Sequence, residues 1–307
     1  MKIESSSSIL SSTIIATIGR PTLARAVTSI LTQELPVDFE LIVVNDSGHS
    51  LPIEDWQHSE RVTILNTNHR ERCVARNAGA AIARGAYLHF LDDDDWMLPG
   101  ALKELLEVAR ASNASLVYGT TRVVDKDGNT LTEHHLGADG NAFVQVMAGE
   151  MIPILSSLIK SECFFDAGGF DHRIVGTEDK DIGRRMLLRY DAASTRRPVA
   201  CFVLDRENST TDYSRSTASS IWSRDNILNE RGSFMRMWKS AKNPYWRGKL
   251  VRAYLTCVVW NLRRRSILKA LSRAGGAAAG FILSTKSMTS RTFWHALCQL
   301  HHSQMNG

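Results

Sequence analysis

The sequence of 307 residues has no CxxC pair, and its five cysteines, Cys73, Cys163, Cys201, Cys257 and Cys298, are odd in number and widely scattered. That usage excludes a disulfide framework and a zinc knuckle, and it fits a reducing compartment such as the cytoplasm. No run of about 18 uninterrupted apolar residues occurs, so no membrane-spanning helix is predicted. The first twenty residues, MKIESSSSILSSTIIATIGR, carry neither a basic leader nor a long apolar core, and no secretory signal is expected. Neither GxGxxG after a strand nor GxxxxGK[ST] is present, so a glycine-rich phosphate loop is not available to hold a nucleotide. Beyond the N-terminal serines there is no low-complexity segment and no internal repeat.

What is there is an ordinary globular composition, 43% hydrophobic, with a net charge of +5 that conceals a division. From Ile221 to the C-terminus there are fifteen Lys/Arg and two Asp/Glu, a balance of +13, whereas residues 1–220 carry 22 basic and 30 acidic side chains, a balance of −8. An acidic body over 1–220 and a basic, helical region over 221–307 are the expected organisation.

The first third alternates β-branched runs with helical patterns. Ser12 to Ile18 and Phe39 to Val44 read as strands, with a helix from Pro21 to Gln33 between them. Val62 to Leu65, Val74 to Ala83 and Ala86 to Leu91 repeat strand, helix, strand. This succession predicts a mostly parallel sheet covered on both faces, in which ligands bind outside the carboxyl ends of the strands. Polar residues gather at those ends: Thr17-Ile18-Gly19-Arg20, Asn45-Asp46-Ser47-Gly48 and Asp92 to Asp95. Farther on, a helix is expected from Pro99 to Ala111. Strands are expected over Ser115 to Tyr118, Thr121 to Asp125 and Pro153 to Ile159, with turns at Asp127-Gly128-Asn129 and Gly168 to Asp171. A helix over Glu178 to Tyr190 follows.

Four consecutive carboxylates at a strand end, in HFLDDDDWMLPG, ask for a counter-ion. Two readings are open. The cluster caps the following helix as a solvated turn, or it holds a hard cation such as Mg²⁺ or Mn²⁺, which takes oxygen ligands and keeps positions for water and substrate phosphates. Arg70, Arg72 and Arg76 lie shortly before the strand and could neutralise a diphosphate.

In order and spacing, TIIATIGR, ELIVVNDSG, ARNAGAAIARGAYLHFLDDDDWMLPGAL and GGFDHRIVGTEDKDIGRRML resemble the motifs of family 2 glycosyltransferases. The resemblance covers about residues 10–215. It implies the GT-A nucleotide-diphospho-sugar transferase fold, with a nucleotide-binding half over about 10–120 and an acceptor half over about 121–220. It further implies that Thr17, Ile18, Gly19 and Arg20 hold the nucleotide, together with Asp46. Asn45, where the family usually has an acid, is a departure. Arg70 or Arg72 would approach the base or the diphosphate, while Arg76 and Asn77 are either ligands or residues that hold the loop. At the DxD motif, Asp92 would face the ribose, Asp93 would take the variable middle position and Asp94 would bind the divalent metal. Asp95 would cap the next helix or support the metal. Glu178-Asp179 matches the family's ED motif, which makes Asp179 the catalytic base and leaves Glu178 as an acceptor-side or supporting residue.

A base of this kind takes the proton from the attacking acceptor hydroxyl, and one such carboxylate suffices for a single inverting displacement. Asp181 reads as an N-terminal helix charge or as a partner for Arg184 and Arg185. His134-His135 and His301-His302 have no metal-ligand spacing, and the segment Arg206 to Ser209 lacks the His that the family often places there.

The expected activity is transfer of a sugar from a nucleotide-sugar donor, UDP-linked, to a hydroxyl of a glycan or lipid-linked glycan in cell-surface polysaccharide synthesis, with Mn²⁺ or Mg²⁺ as cofactor. The basic region, with Trp246 to Arg265 as its most amphipathic segment, would lie on the inner face of a membrane, pack on the catalytic body or on a second subunit, or bind nucleic acid. No nucleic-acid partner is expected, because no recognisable reading module accompanies the charge. Two rivals remain. One is phosphoryl transfer through an aspartyl intermediate, for which the DxDx[TV] pattern is missing, and the other is a non-enzymatic membrane- or nucleic-acid-binding protein with a structural acidic cluster.

Overall fold

A computed structural model describes residues 10–35, 38–68, 71–204 and 213–298. Arg70, the segment Arg206 to Ser209 and His301-His302 lie outside the described residues.

The chain opens with β1 (Ser11–Thr17), α1 (Leu23–Leu31), β2 (Phe39–Asn45), β3 (Val62–Asn66), α2 (Arg72–Ile82) and β4 (Tyr87–Asp92). The four strands are parallel, in the order β3-β2-β1-β4. Every residue of β2 is buried, as a strand covered on both faces requires. After β3 the chain crosses back and places β4 on the other side of β1, so the strand order reverses between β1 and β4. A crevice opens at that switch point.

There follow β5 (Trp96–Met97), α3 (Ala101–Ser112), β6 (Leu116–Val124), β7 (Thr130–His134), α4 (Phe143–Ala148), β8 (Ser157–Lys160), α5 (Ser161–Asp166), α6 (Glu178–Leu187) and β9 (Ala192–Val203). They extend the sheet as β4-β8-β6-β9-β5, with β7 on β6. The expected parallel pairing holds for the first four strands and recurs between β6 and β9. β8 is antiparallel to β4 and β6, β5 to β9, and β7 to β6, which makes the whole sheet mixed. One cause is plain in the chain: the tight Asp125–Asn129 turn is too short for the crossover that a parallel return needs.

Other boundaries moved for local reasons. The two strands expected between Ser115 and Asp125 are one, β6. The strand expected from Pro153 begins at Ser157, after a 3₁₀ turn at Ile154–Ser156. The helix expected from Pro99 starts at Ala101 behind Gly100, whose φ of 74° is left-handed. β9, with Arg196, Arg197 and Pro198 in its middle, has no clean alternation and was not anticipated from the sequence. Pairing with β6 and β5 imposes its conformation.

Alternate residues of each strand feed two cores. Ile15, Leu41, Val43 and Leu91 pack with Val27 and Ile30 of α1 and Leu102 and Leu105 of α3. On the other face Ile14, Ile42, Val44 and Phe90 pack with residues of α2, α4, α5 and α6. There Phe90 meets Phe164 and Phe170 at ring separations of 5.1 and 5.0 Å, each ring contributing on the order of 2–3 kcal/mol by burial. His89, also on β4, is fully buried between the Thr13 hydroxyl and the Leu155 carbonyl, and burial pushes its pKa down to about 4. The carbonyl can only accept, so Nε2 carries the proton and the ring is neutral.

Past β9 lie α7 (Tyr213–Ile227), α8 (Ser233–Ser240), α9 (Pro244–Arg263), α10 (Ile267–Leu283) and α11 (Arg291–Cys298). Asn243 caps α9 by accepting from Trp246 N, and Pro244 occupies its first turn, both ordinary helix-start chemistry. Helix α9 packs on α4, α7, α10 and α11. Leu250, Tyr254 and Cys257 join the core beneath the sheet. Of the readings open for this amphipathic segment, packing on the rest of the chain is the one the structure displays. No described helix is long and apolar enough to cross a membrane.

Candidate active site at the β1–β4 switch point

Register sets the level of the site. Thr17 lies opposite Asn45, Asn45 opposite Asn66, and Ala16 opposite Asp92. The carboxyl ends of four parallel strands therefore finish together, and the loops that follow β1 and β4 face each other across the crevice.

The four aspartates separate by direction. Asp93 is buried and accepts from the Thr17 hydroxyl at 2.6 Å and from Arg20 at 2.7 Å. Thr17 Oγ1 also accepts from Gly19 N, in a turn where Gly19 has a φ of 83°. Ile18, between them, is exposed. Asp94 projects outward, 3.2 Å from Arg20. Its carbonyl accepts from Arg25 at 2.6 Å, and that guanidinium stacks 4.1 Å above Trp96. Asp95 is buried and accepts from Val203 N on β9 at 2.8 Å. Of the two roles expected of it, Asp95 does not take the capping of α3, because Gly100 stands at that helix start.

Asp92, Asp94 and Asp95 each bring one oxygen within 4.8 Å of the others. Burial and the Asp92 charge push the Asp94 carboxyl above the usual range, and burial with Asp92 and Asp94 raises Asp95 much further. Three hard oxygen donors that repel one another fit a Mg²⁺ or Mn²⁺ ion. Asp94, expected at the metal, thus has beside it Asp92, expected at the ribose, and Asp95, for which metal support was the other expected role, while Asp93 is turned away toward β1.

A second group faces this one. Arg76 on α2, itself buried, donates to Asp92 at 2.5 Å and to Glu178 at 3.2 Å, and its Nη1 lies 3.7 Å from Asp179. Arg72, one turn earlier and half exposed, reaches Glu178 at 3.3 Å. Four residues apart, the two arginines present one helix face to the N-terminus of α6, where positive dipole charge also favours carboxylates. Glu178 is buried between them. Asp179 is partly buried, and its Oδ1 has no hydrogen-bond partner among the described residues. It opens on an apolar cleft lined by Ile152, Ile154, Ile182 and Met186. Burial raises the Asp179 carboxyl to about 7, with Glu178 and Asp92 adding to the rise and the Arg76 and Arg72 charges opposing it.

The remaining expected residues hold the frame. Asp46 is buried and accepts from the Thr67 hydroxyl at 2.8 Å and Glu71 N at 2.7 Å, which ties the loop before α2 to the end of β2. Asn45 builds the adjacent turn through His49 O, Asn66 and Ser47. Asn77 clasps the backbone of Phe170 by both N and O, so loop-holding is its role, while Arg76 is a central charge of the site. Asp181 pairs with Arg185 at 2.5 Å and accepts from Ser223 at 2.6 Å. Arg184 reaches it only through the shared Ser223 hydroxyl and binds Val146 O and Ser220 directly. Arg25 escaped the sequence reading, because its target is a backbone carbonyl of a loop 69 residues away.

The profile of Glycosyl transferase family 2 matches residues 12–168, just over half of the chain. An uncharacterized glycosyltransferase of Haemophilus influenzae is 26% identical over 182 residues, 57% of this chain and 61% of that protein. The poly(ribitol-phosphate) beta-N-acetylglucosaminyltransferase TarP of Staphylococcus aureus is 32% identical over 110 residues, 34% of each chain. These matches span less than two thirds of either relative. Residues 1–349 of S. aureus TarS, crystallised with UDP-GlcNAc, superpose with a TM-score of 0.58 at 13% identity, over 89% of this chain and 92% of that one. That likeness establishes the GT-A-like mixed α/β fold expected from the motifs. With the profile matched from β1 through the acidic turn and on to Gly168, the chain belongs to glycosyl transferase family 2.

Proposed function

We propose that this chain is an inverting glycosyltransferase that moves a sugar from a nucleotide diphosphate donor, UDP-linked, to a hydroxyl of a glycan or lipid-linked glycan in polysaccharide synthesis. The observation that carries the reading is Asp179. Its Oδ1 accepts no hydrogen bond among the described residues, and the guanidinium 3.7 Å from it also holds Asp92 on the donor side. Base and donor acid thus share one rigid support. The names of the relatives add support on substrate class, since TarP is named for a poly(ribitol-phosphate) acceptor and TarS was solved with a UDP-sugar. Five free cysteines fit a cytoplasmic, reducing setting.

On the donor side, the turn Thr17 to Arg20 and Asp46 border the base pocket, and Asp92 faces the ribose. Arg20 is tethered to Asp93 and Arg72 to Glu178, which brings both guanidiniums to the crevice where a diphosphate needs positive charge. Asp92, Asp94 and Asp95 would hold the divalent cation, which supplies Lewis-acid stabilisation of the departing nucleotide diphosphate. On the acceptor side, Asp179 takes the hydroxyl proton as the oxygen attacks the anomeric carbon. The raised pKa suits that task near neutrality.

The test is transfer and donor hydrolysis with Mn²⁺ across a panel of nucleotide sugars, with Asp179→Asn as the control. The amide is expected to lower turnover about 10²- to 10⁴-fold while leaving donor affinity nearly unchanged. Full activity in that variant would remove Asp179 from the mechanism.

A further inference from the structure

Beyond Glu230 the chain contains fourteen Lys/Arg and no Asp or Glu at all. Several of those cations are used internally. Arg236 binds Asp191 and the carbonyls of Leu187 and Tyr190, Arg247 binds the carbonyls of Ala241 and Leu283, and Arg273 binds Asp225. Those at the tip of the α9–α10 hairpin are not: Arg263, Arg264, Arg265 and Lys269 are all exposed, and none pairs with an acid among the described residues. Arg264 instead stacks 4.6 Å over Trp260.

Set among these charges are the large apolar side chains Val259, Leu262, Ile267, Leu268 and Leu271, every one exposed, Leu268 by 85% and Leu271 by 63%. A soluble surface seldom concentrates so many. The combination of leucine and isoleucine with Arg, Lys and an interfacial Trp is that of a segment lying at the boundary of headgroups and acyl chains.

We propose that the α9–α10 hairpin tip docks on an anionic lipid surface. A second copy of the chain is a poor occupant, because pairing the same patch on two subunits would bring eight like charges together with no acid to offset them. Nucleic acid would satisfy the cations and leave the protruding aliphatic side chains in water.

The tip is also held ready. Arg265, with a φ of 58°, turns the chain, and Ser266 N closes the turn on Asn261 O at 2.9 Å. Asn261 and Arg273 both converge on Asp225 of α7. At its other end α7 grips the loop before α6, where Ser216 donates to Gly176 O at 3.1 Å and Ser219 accepts from Val175 N at 3.2 Å. One helix therefore links the lipid-facing tip to the residues just ahead of Glu178 and Asp179, which would set the site at a fixed height above the surface.

Flotation of the full chain with phosphatidylcholine vesicles, and with vesicles of phosphatidylcholine and phosphatidylglycerol, tests this directly. Binding is expected to the anionic vesicles, at least about tenfold above the zwitterionic ones, and to weaken at high salt. The double variant Leu268→Glu/Leu271→Glu should lose it with an unchanged thermal midpoint and unchanged donor hydrolysis. If those glutamates disturb folding, Arg264→Gln/Arg265→Gln with an intact thermal midpoint should weaken anionic binding severalfold. Three results overturn the proposal: no vesicle binding by the parent chain, equal binding by the folded variants, or self-association or nucleic-acid capture that the Leu268→Glu change abolishes in place of lipid binding. The readout is lipid binding, so failure of the proposed transfer activity would leave it unaffected.

Discussion

Arg76 sits among three carboxylates, Asp92, Glu178 and Asp179, and is almost wholly buried. A buried guanidinium is tolerable only when paired, and here the pairing draws Asp92 at the end of β4 and the acid pair at the start of α6 to one point. Its charge opposes the burial that raises Asp179 to about 7. With Asp179 as the proposed base, the carboxyl is protonated below that pH and cannot accept, so the transfer rate should climb about tenfold per unit up to pH ~7 and level off above it. Removing the guanidinium deletes a stabiliser of the carboxylate form. In Arg76→Gln the rising limb should therefore move to higher pH, whereas Arg76→Lys, which keeps the charge and loses the fork, should keep the limb and lose rate. A pH–rate profile of the two variants checks the sign; a limb that stays in place in Arg76→Gln would contradict it. The motif Ala-Arg-Asn-Ala-Gly made this arginine visible in the sequence, but its contact with Glu178, 102 residues later, was not.

Helices α9 and α10 illustrate how little composition says about fit. The stretch Gly275-Gly276 looks like a weak point in a helix, yet the two glycines stand in opposite surroundings. A Cβ on Gly276 would lie 2.3 Å from the Tyr254 ring, while one on Gly275 meets nothing within 4 Å. The seam closes because Gly276 has no side chain. Gly276→Ala should cost about 1–3 kcal/mol by prying Tyr254 off the seam. Gly275→Ala should stabilise by about 0.5–1 kcal/mol, since alanine loses less backbone freedom on folding. Thermal midpoints moving in opposite directions for adjacent residues would check this. β9 teaches the same lesson for strands. Its central Arg196-Arg197-Pro198 argues against a sheet position, and it forms because β6 supplies a parallel partner on one side and β5 an antiparallel one on the other.

Across the whole molecule, the basic helices are fastened to the rest by buried polar knots as well as by the apolar core. Asp225 and Arg273 are each 3% exposed and meet at 2.7 Å, with Asn261 donating to the same carboxylate oxygen. Asp225→Ala would leave the guanidinium buried without its counter-charge, a loss of about 3–5 kcal/mol. Asp225→Ala/Arg273→Met should recover part of it, because an apolar pair avoids the desolvation cost. Urea unfolding of the three proteins gives the comparison. No recovery in the double variant would mean that the polar contacts themselves, including Asn261, carry the stability.

By itself the sequence determined the alternation of β1 through β4, the polar strand ends, the acidic turn and the acid pair that opens α6. Each rests on local rules of periodicity, propensity and short motifs. Only the tertiary structure decided that the sheet is mixed and that β9 belongs to it. It also separated Asp93 from the other three aspartates and placed Arg76 between Asp92 and Asp179. Those outcomes depend on groups dozens to a hundred residues apart in the chain, whose charges and hydrogen bonds interact only once the packing has brought them together.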